Sequence, residues 1–137
     1  MKNRVIVDTG PLVALLNGRD NAHHWVVQQL RDIAPPMITC ESVLAEASYL
    51  TRDLPGARAA LMEMLAEEFL SIGMALADHH SAILTMLRRY ADVPISLADA
   101  CVVRLAELHP QSAVLTLDSD FLVYRKNGRQ VIEVLRP

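Results

Sequence analysis

Apolar and polar positions follow two periods along this chain, and the switches between them predict its elements. Val5-Ile6-Val7 is a run of β-branched residues suited to a strand buried on both faces, giving a strand over 4–7. Helical spacing follows, with Thr9 or Gly10 as cap and Pro11 in the first turn, where a missing N–H costs nothing; it ends near Asn17-Gly18. Trp25, Val26, Leu30 and Ile33 share one face of a second helix over 21–33, which Pro35-Pro36 breaks. Met37-Ile38 is a very short strand, and Thr39 is placed to cap a helix from about Cys40 to Leu50. Pro55 opens a helix over 56–68, and a strand with poorly marked limits falls within 69–76. Helix 78–91 stops at Val93-Pro94, Ser96 caps a helix over 97–108, and His109-Pro110 ends that one. The last strands are Ala113 to Leu117 and Val131 to Leu135.

Strands alternating with helices predict an α/β fold whose parallel sheet is covered on both faces. Right-handed crossovers bring the strand C-termini to one edge, where ligands bind near the point at which strand order reverses. Asp8 follows the first strand and Asp118 follows the 113–117 strand, so both are expected at that edge. No repeat, low-complexity segment or linker interrupts the 137 residues, which read as one domain over 1–137.

Composition narrows the class. The chain is 52% apolar but only 4% aromatic, as suits packed helices and buried strands. No apolar run reaches the ~18–20 residues of a membrane span, and Asp8 interrupts the first apolar stretch before a signal-peptide core forms, so the chain reads as soluble and cytoplasmic, with no membrane partner. Cys40 and Cys101 are too few and too far apart for a disulfide scaffold or a zinc site, and are expected as buried, inert thiols. A net charge of −3 argues against nonspecific nucleic-acid binding through a basic surface, but leaves room for a nucleic-acid enzyme whose acidic cleft is neutralised by metal ions.

Four acids interrupt apolar settings: Asp8 at a strand end, Glu46 within "SVLAEASYL", Asp99 within "ISLADACVV", and Asp118 at the close of "AVLTLDSDF", with Asp120 two residues on. Each has a structural alternative. Asp8 could accept N–H groups of the Gly10-Pro11 corner, Ser96-x-x-Asp99 fits a capping box, and Asp118 or Asp120 could cap the turn into Phe121. Glu46 sits mid-helix, where no cap is needed but a surface position remains open. As a set, oxygen donors without a His or Cys partner suit a hard cation such as Mg²⁺ or Mn²⁺, whose natural chemistry is phosphodiester cleavage.

The ordered segments "VDTGPLVALL", "SVLAEASYL", "ISLADACVV" and "VLTLDSDF" resemble the PIN-domain nucleases, in particular the VapC-like toxins of bacterial and archaeal toxin–antitoxin pairs. The resemblance runs from Val5 to about Phe121. It implies a PIN-like three-layer α/β/α fold with a mostly parallel sheet of about five strands, commonly as a homodimer. It implies a metal-binding catalytic centre formed by Asp8, Glu46, Asp99 and Asp118, with Asp120 in reserve as the fourth ligand and with Thr9 and Thr116 as supporting hydroxyls. The activity implied is a Mg²⁺- or Mn²⁺-dependent endoribonuclease, with RNA as substrate and an antitoxin protein as partner. Leu117 departs from the family's preference for a polar or basic residue between the Thr and the first Asp.

Other features carry less weight. His23-His24 and His79-His80 lie near helix starts, and adjacent residues point about 100° apart on a helix, so neither pair makes a ready ligand site. Arg125, Lys126 and Arg129 surround an Asn-Gly turn and are candidate RNA contacts, with Arg52 and Arg88-Arg89 as further ones. A non-catalytic metal-binding or regulatory domain on the same fold is the alternative, since sites rather than scaffolds carry function. A phosphoacceptor domain would want a second acid beside Asp8 and a late-strand Lys, which the chain lacks there.

Overall fold

The computed structural model describes residues 4–137. In chain order the elements are β1 (Val5–Val7), α1 (Thr9–Leu16), α2 (His23–Leu30), β2 (Met37–Thr39), α3 (Glu41–Leu50), α4 (Ala57–Ala66), β3 (Leu70–Ile72), α5 (Leu76–Arg89), α6 (Leu97–Leu108) and β4 (Ala113–Leu115). A 3₁₀ turn (Ser119–Leu122) follows, then β5 (Arg125–Lys126), β6 (Gln130–Val131) and β7 (Val134–Leu135).

Five strands form one sheet in the order β3-β2-β1-β4-β7, every neighbouring pair parallel. β1, β2 and β4 are buried throughout, as parallel strands under helices must be. α6 lies against β1, β2 and β4 and buries seven of its twelve residues, among them Cys101, Val102, Val103 and Leu105. Such a helix is apolar almost all round because it is covered almost all round.

Strand order is what positions the site. The chain steps from β1 outward through β2 to β3, then returns to the other side of β1 for β4 and β7. The reversal falls between β1 and β4, whose C-terminal ends therefore open a crevice. Val7 pairs with Leu115, and the Asp8 amide extends that ladder by donating to the Leu115 carbonyl at 3.0 Å. The next register pair is thus Asp8 beside Thr116. Gly10 lets the first turn of α1 close over this exit, since a β-carbon there would stand 3.3 Å from Leu117 Cβ.

Several elements depart from expectation. Thr39 does not cap α3; it is fully buried in β2 and donates its hydroxyl to the Val7 carbonyl at 3.2 Å, while Cys40 holds the cap position. Asp8, rather than Thr9 or Gly10, precedes the first residue of α1. α2 is shorter than 21–33 at both ends, and α5 starts and stops two residues before the expected 78–91. The expected strand 131–135 is divided: Gln130–Val131 closes a hairpin with Arg125–Lys126, and only Val134–Leu135 joins the main sheet. Asn127 and Gly128 both take positive φ in that hairpin loop, which is why an Asn-Gly pair stands there.

Candidate active site

A cleft of about 480 Å³ opens at the C-terminal ends of β1 and β4, and its walls include Asp8, Thr9, Glu46, Asp99, Asp118 and Asp20. The first five are residues that the sequence singles out, from four segments; Asp20 is not among them. It enters from the loop between α1 and α2, where its Oδ1 accepts the Ala22 amide at 2.9 Å. The only sequence signal was a polar loop after α1, and nothing local says that this loop returns to the sheet edge.

Asp8 is the innermost carboxylate, 5% exposed. It makes no N-cap bond to α1; instead its Oδ2 accepts the Thr116 hydroxyl at 2.8 Å, the contact that the strand register imposes. The same Thr116 oxygen accepts the Asp118 amide at 2.9 Å, so one hydroxyl fixes both acids. Asp118 Oδ1 in turn accepts the Asp120 amide at 2.8 Å and caps the 3₁₀ turn. Asp118 therefore caps with one oxygen while lining the cleft. Asp120 lies outside the cleft lining.

Asp99 completes a capping box with Ser96: the Ser96 hydroxyl accepts the Asp99 amide at 3.0 Å, and the Asp99 carboxylate faces the Ser96 amide. It also accepts the Tyr124 hydroxyl at 3.0 Å. Tyr124 is fully buried and packed edge-on against Tyr90 and Phe121. Burial and the neighbouring Asp99 charge push its phenol well above the usual range, so it remains a donor. Sequence reasoning missed it: a buried Tyr needs a partner for its hydroxyl, but the partner lies 25 residues away.

Electrostatics favour positive charge here. Burial pushes the Asp8 carboxyl up to about 6; hydrogen bonds from Thr116 and the Thr9 backbone oppose this, and the charges of Asp99 and Asp118 add to it. Asp99 is also raised, mainly by burial, against the hydrogen bonds from Tyr124 and Ser96. Among the described residues no three acidic, His or Cys side chains are already drawn together closely enough to hold an ion. The donor set nonetheless fits a hard divalent cation. It is all oxygen, the charges of Asp99 and Asp118 help to raise the Asp8 pKa, and Thr9 Oγ1 is buried in the cleft wall without a hydrogen-bond partner among the described residues.

Replacing Tyr124 by Phe removes the donor to Asp99 without removing the ring. An orienting bond to a carboxylate that holds a metal ion is worth about tenfold in affinity. Tyr124→Phe is therefore expected to weaken Mn²⁺ binding by about tenfold in a calorimetric titration, with a stability cost of about 1 kcal/mol. Unchanged Mn²⁺ affinity would mean that the Tyr124 hydroxyl serves packing alone.

The remaining candidates are held elsewhere. Arg125 Nη1 donates to the carbonyls of Leu122, Val123 and Tyr124, and Lys126 Nζ to that of Pro110. Arg129 is exposed on the hairpin, and none of the three lines the cleft, so the structure does not bring the expected RNA contacts to the acids. His23 Nδ1 bonds the Ala14 carbonyl, His24 bonds Gln28, and His79 accepts from Arg104. Cys40 and Cys101 are buried free thiols. No helix among the described residues is long and apolar enough to cross a membrane.

Comparison with known proteins agrees with this fold. The PIN domain family model matches residues 5–127. Ribonuclease VapC26 of Mycobacterium tuberculosis (strain ATCC 25618 / H37Rv) is 30% identical over 119 residues, spanning 83% of this chain and 86% of that protein. The crystal structure of Mycobacterium tuberculosis VapC20, a sarcin–ricin loop cleaving toxin, superposes with a TM-score of 0.76 at 21% identity, over 85% of this chain and 91% of that one, and shows the shared fold. A five-stranded parallel sheet with acids at its switch point, and a family match over nearly all of the chain, place this protein in the PIN-domain family.

Proposed function

We propose that this chain is a metal-dependent endoribonuclease, the toxin of a toxin–antitoxin pair, built as one PIN-like domain over 1–137. The observation that carries the reading is the convergence of Asp8, Glu46, Asp99 and Asp118, from four separate segments, on one cleft at the strand-order reversal. The relative named Ribonuclease VapC26 supports the same activity. Asp8, Glu46, Asp99 and Asp118 are the metal-holding and catalytic acids; the cleft lining favours Asp118 over Asp120 as the fourth. These four acids would hold a Mg²⁺ or Mn²⁺ ion, which would supply a lowered pKa for bound water and charge balance for the leaving oxygen.

The chain's own residues prepare that chemistry. Thr116 orients the Asp8 carboxylate and anchors the Asp118 backbone through one hydroxyl, and Tyr124 with Ser96 holds Asp99. Glu46 is exposed on α3 and lines the cleft, free to adjust to substrate. The Thr9 hydroxyl, buried in the cleft wall without a partner among the described residues, is placed to hold an ordered water beside the acids. The partners are an RNA substrate, an antitoxin protein that blocks the acidic cleft, and a second copy of the chain in a cytoplasmic homodimer.

The test is cleavage of a mixed RNA panel, transfer RNAs included, by purified protein and its Asp99→Asn variant with Mg²⁺, Mn²⁺ or EDTA. Cleavage by the wild type alone, and only with metal, is expected. Equal cleavage by both proteins, or cleavage that EDTA leaves intact, overturns the assignment. Metal binding without cleavage of any RNA would favour the alternative, a non-catalytic regulatory domain.

A further inference from the structure

An acidic cleft in a protein of net charge −3 still has to attract a polyanion, and the hairpin cations that the sequence suggested are held elsewhere. A different pair stands at the rim. On α3, Glu46, Tyr49 and Leu50 fall at i, i+3 and i+4 and so share a face. Glu46 and Leu50 line the cleft, which puts Tyr49 beside its mouth, where it is 62% exposed.

An exposed tyrosine is ordinary, but this one is organised. The Arg52 guanidinium stacks on its ring at 4.0 Å from the centroid, and Arg52 Nη1 donates to the Tyr49 carbonyl at 2.8 Å. This bond fixes the planar cation over one ring face, on a carbonyl that also accepts the Arg52 amide at 3.2 Å. The other ring face remains for a second flat group, and the remaining guanidinium N–H groups have no partner among the described residues. A flat apolar face with a fixed cation beside it matches a nucleotide: a base stacks on the ring, and its phosphate meets the guanidinium.

We infer that Tyr49 and Arg52 form a nucleotide subsite at the cleft rim, which stacks an RNA base next to the scissile phosphate and holds the adjoining phosphate. The inference rests on the ribonuclease reading above. It gives α3 two tasks one turn apart: Glu46 faces the reacting phosphate, and the Tyr49–Arg52 pair fixes where along the strand that phosphate falls. Stacking is tolerant of base identity, so the subsite sets position and affinity more than sequence.

The test uses fluorescein-labelled single-stranded RNAs of about twelve nucleotides, a length on the scale of single-strand binding sites. Affinities are measured in Ca²⁺ by fluorescence anisotropy for the wild type, Tyr49→Ala, Tyr49→Phe and Arg52→Ala. Tyr49→Ala is expected to bind about tenfold more weakly, while Tyr49→Phe keeps the wild-type affinity because the ring remains. Arg52→Ala is expected to lower the salt dependence of binding by about one phosphate contact. An RNA with one abasic nucleotide, moved along the strand, should lose affinity for the wild type at one position and lose nothing further for Tyr49→Ala there.

A structural role for Tyr49 would move the melting temperature and leave the abasic scan unchanged. Wild-type affinity in Tyr49→Ala, or an abasic penalty equal in both proteins at every position, overturns the subsite alone. A wild type that binds no RNA of the panel and cleaves none overturns the ribonuclease reading, and the subsite with it.

Discussion

Asp8→Asn is expected to lower RNA cleavage by at least about 100- to 1,000-fold, the scale of losing one preorganised electrostatic group, and at the same time to stabilise the metal-free protein. The two effects share a cause. Asp8 is a buried carboxylate beside two other acids, and its pKa stands at about 6 against a starting value of 3.8. A carboxyl whose pKa is raised on folding binds its proton more tightly in the native state, so its ionisation works against folding as pH rises from about 4 through 6. Above that window the cost is fully present. A shift of this size corresponds to about 3 kcal/mol at pH 7, an upper figure that relaxation of the cleft reduces. The substituted amide keeps an oxygen to accept the Thr116 hydroxyl but has no charge to desolvate. The variant should therefore melt roughly 3 to 10 °C higher at pH 7 without metal. At pH 5, where Asp8 is mostly protonated, the advantage should shrink. A variant that melts lower than the wild type at both pH values would mean that Asp8 is held for folding, as a corner-forming acid, and the catalytic assignment would lose its physical basis.

How much of this was legible beforehand depended on whether a signal was local. α6 was read to both ends because a Ser-x-x-Asp box opens it and His109-Pro110 closes it. β1 and the tip position of Asp8 were legible from three β-branched residues followed by a carboxylate. Thr39 misled because a Thr before a helix looks the same whether its hydroxyl caps the helix or crosses to a neighbouring strand. Only the pairing of β2 with β1 decides that in favour of the Val7 carbonyl. The last strand failed for a similar reason. Val131 to Leu135 is apolar throughout except Glu133, and that pattern does not say that Ile132 turns inward, 3% exposed, between a hairpin and a sheet edge.

The site divided in the same way. Acids at strand ends are visible because topology sends every parallel strand's C-terminus to one edge, whereas Asp20 and Tyr124 reach the site only through loop paths. The basic cluster at 125–129 suggests phosphate contacts through its charge and its closeness in sequence to Asp118 and Phe121. In the fold the Arg125 and Lys126 side chains donate to carbonyls of the 3₁₀ turn and of the loop after α6. Cations near a site in sequence are thus poor evidence of phosphate contacts when backbone acceptors lie closer.

Metal should affect stability with the opposite pH dependence from that of Asp8 alone. A cation that binds only the folded cleft adds RT ln(1 + [M]/Kd), about 2.7 kcal/mol at a hundredfold excess over Kd. Mn²⁺ is therefore expected to raise the wild-type melting temperature by roughly 5 to 10 °C at pH 7. Protons compete for the same oxygens, and the carboxyl most exposed to that competition is Asp8, titrating at about 6. At pH 5 the Mn²⁺ shift should fall sharply even as the metal-free protein gains stability from protonating Asp8. Asp99→Asn removes one charged oxygen pair while an amide oxygen can still serve the capping box, so this variant should fold normally and show a much smaller Mn²⁺ shift at pH 7. Parallel scans of the two proteins at both pH values separate the possibilities. Equal shifts in wild type and variant would take Asp99 out of the metal site. A shift unchanged between pH 7 and pH 5 would take Asp8 out of it, since a ligand that must lose its proton at about 6 cannot bind a cation equally well on both sides of that value.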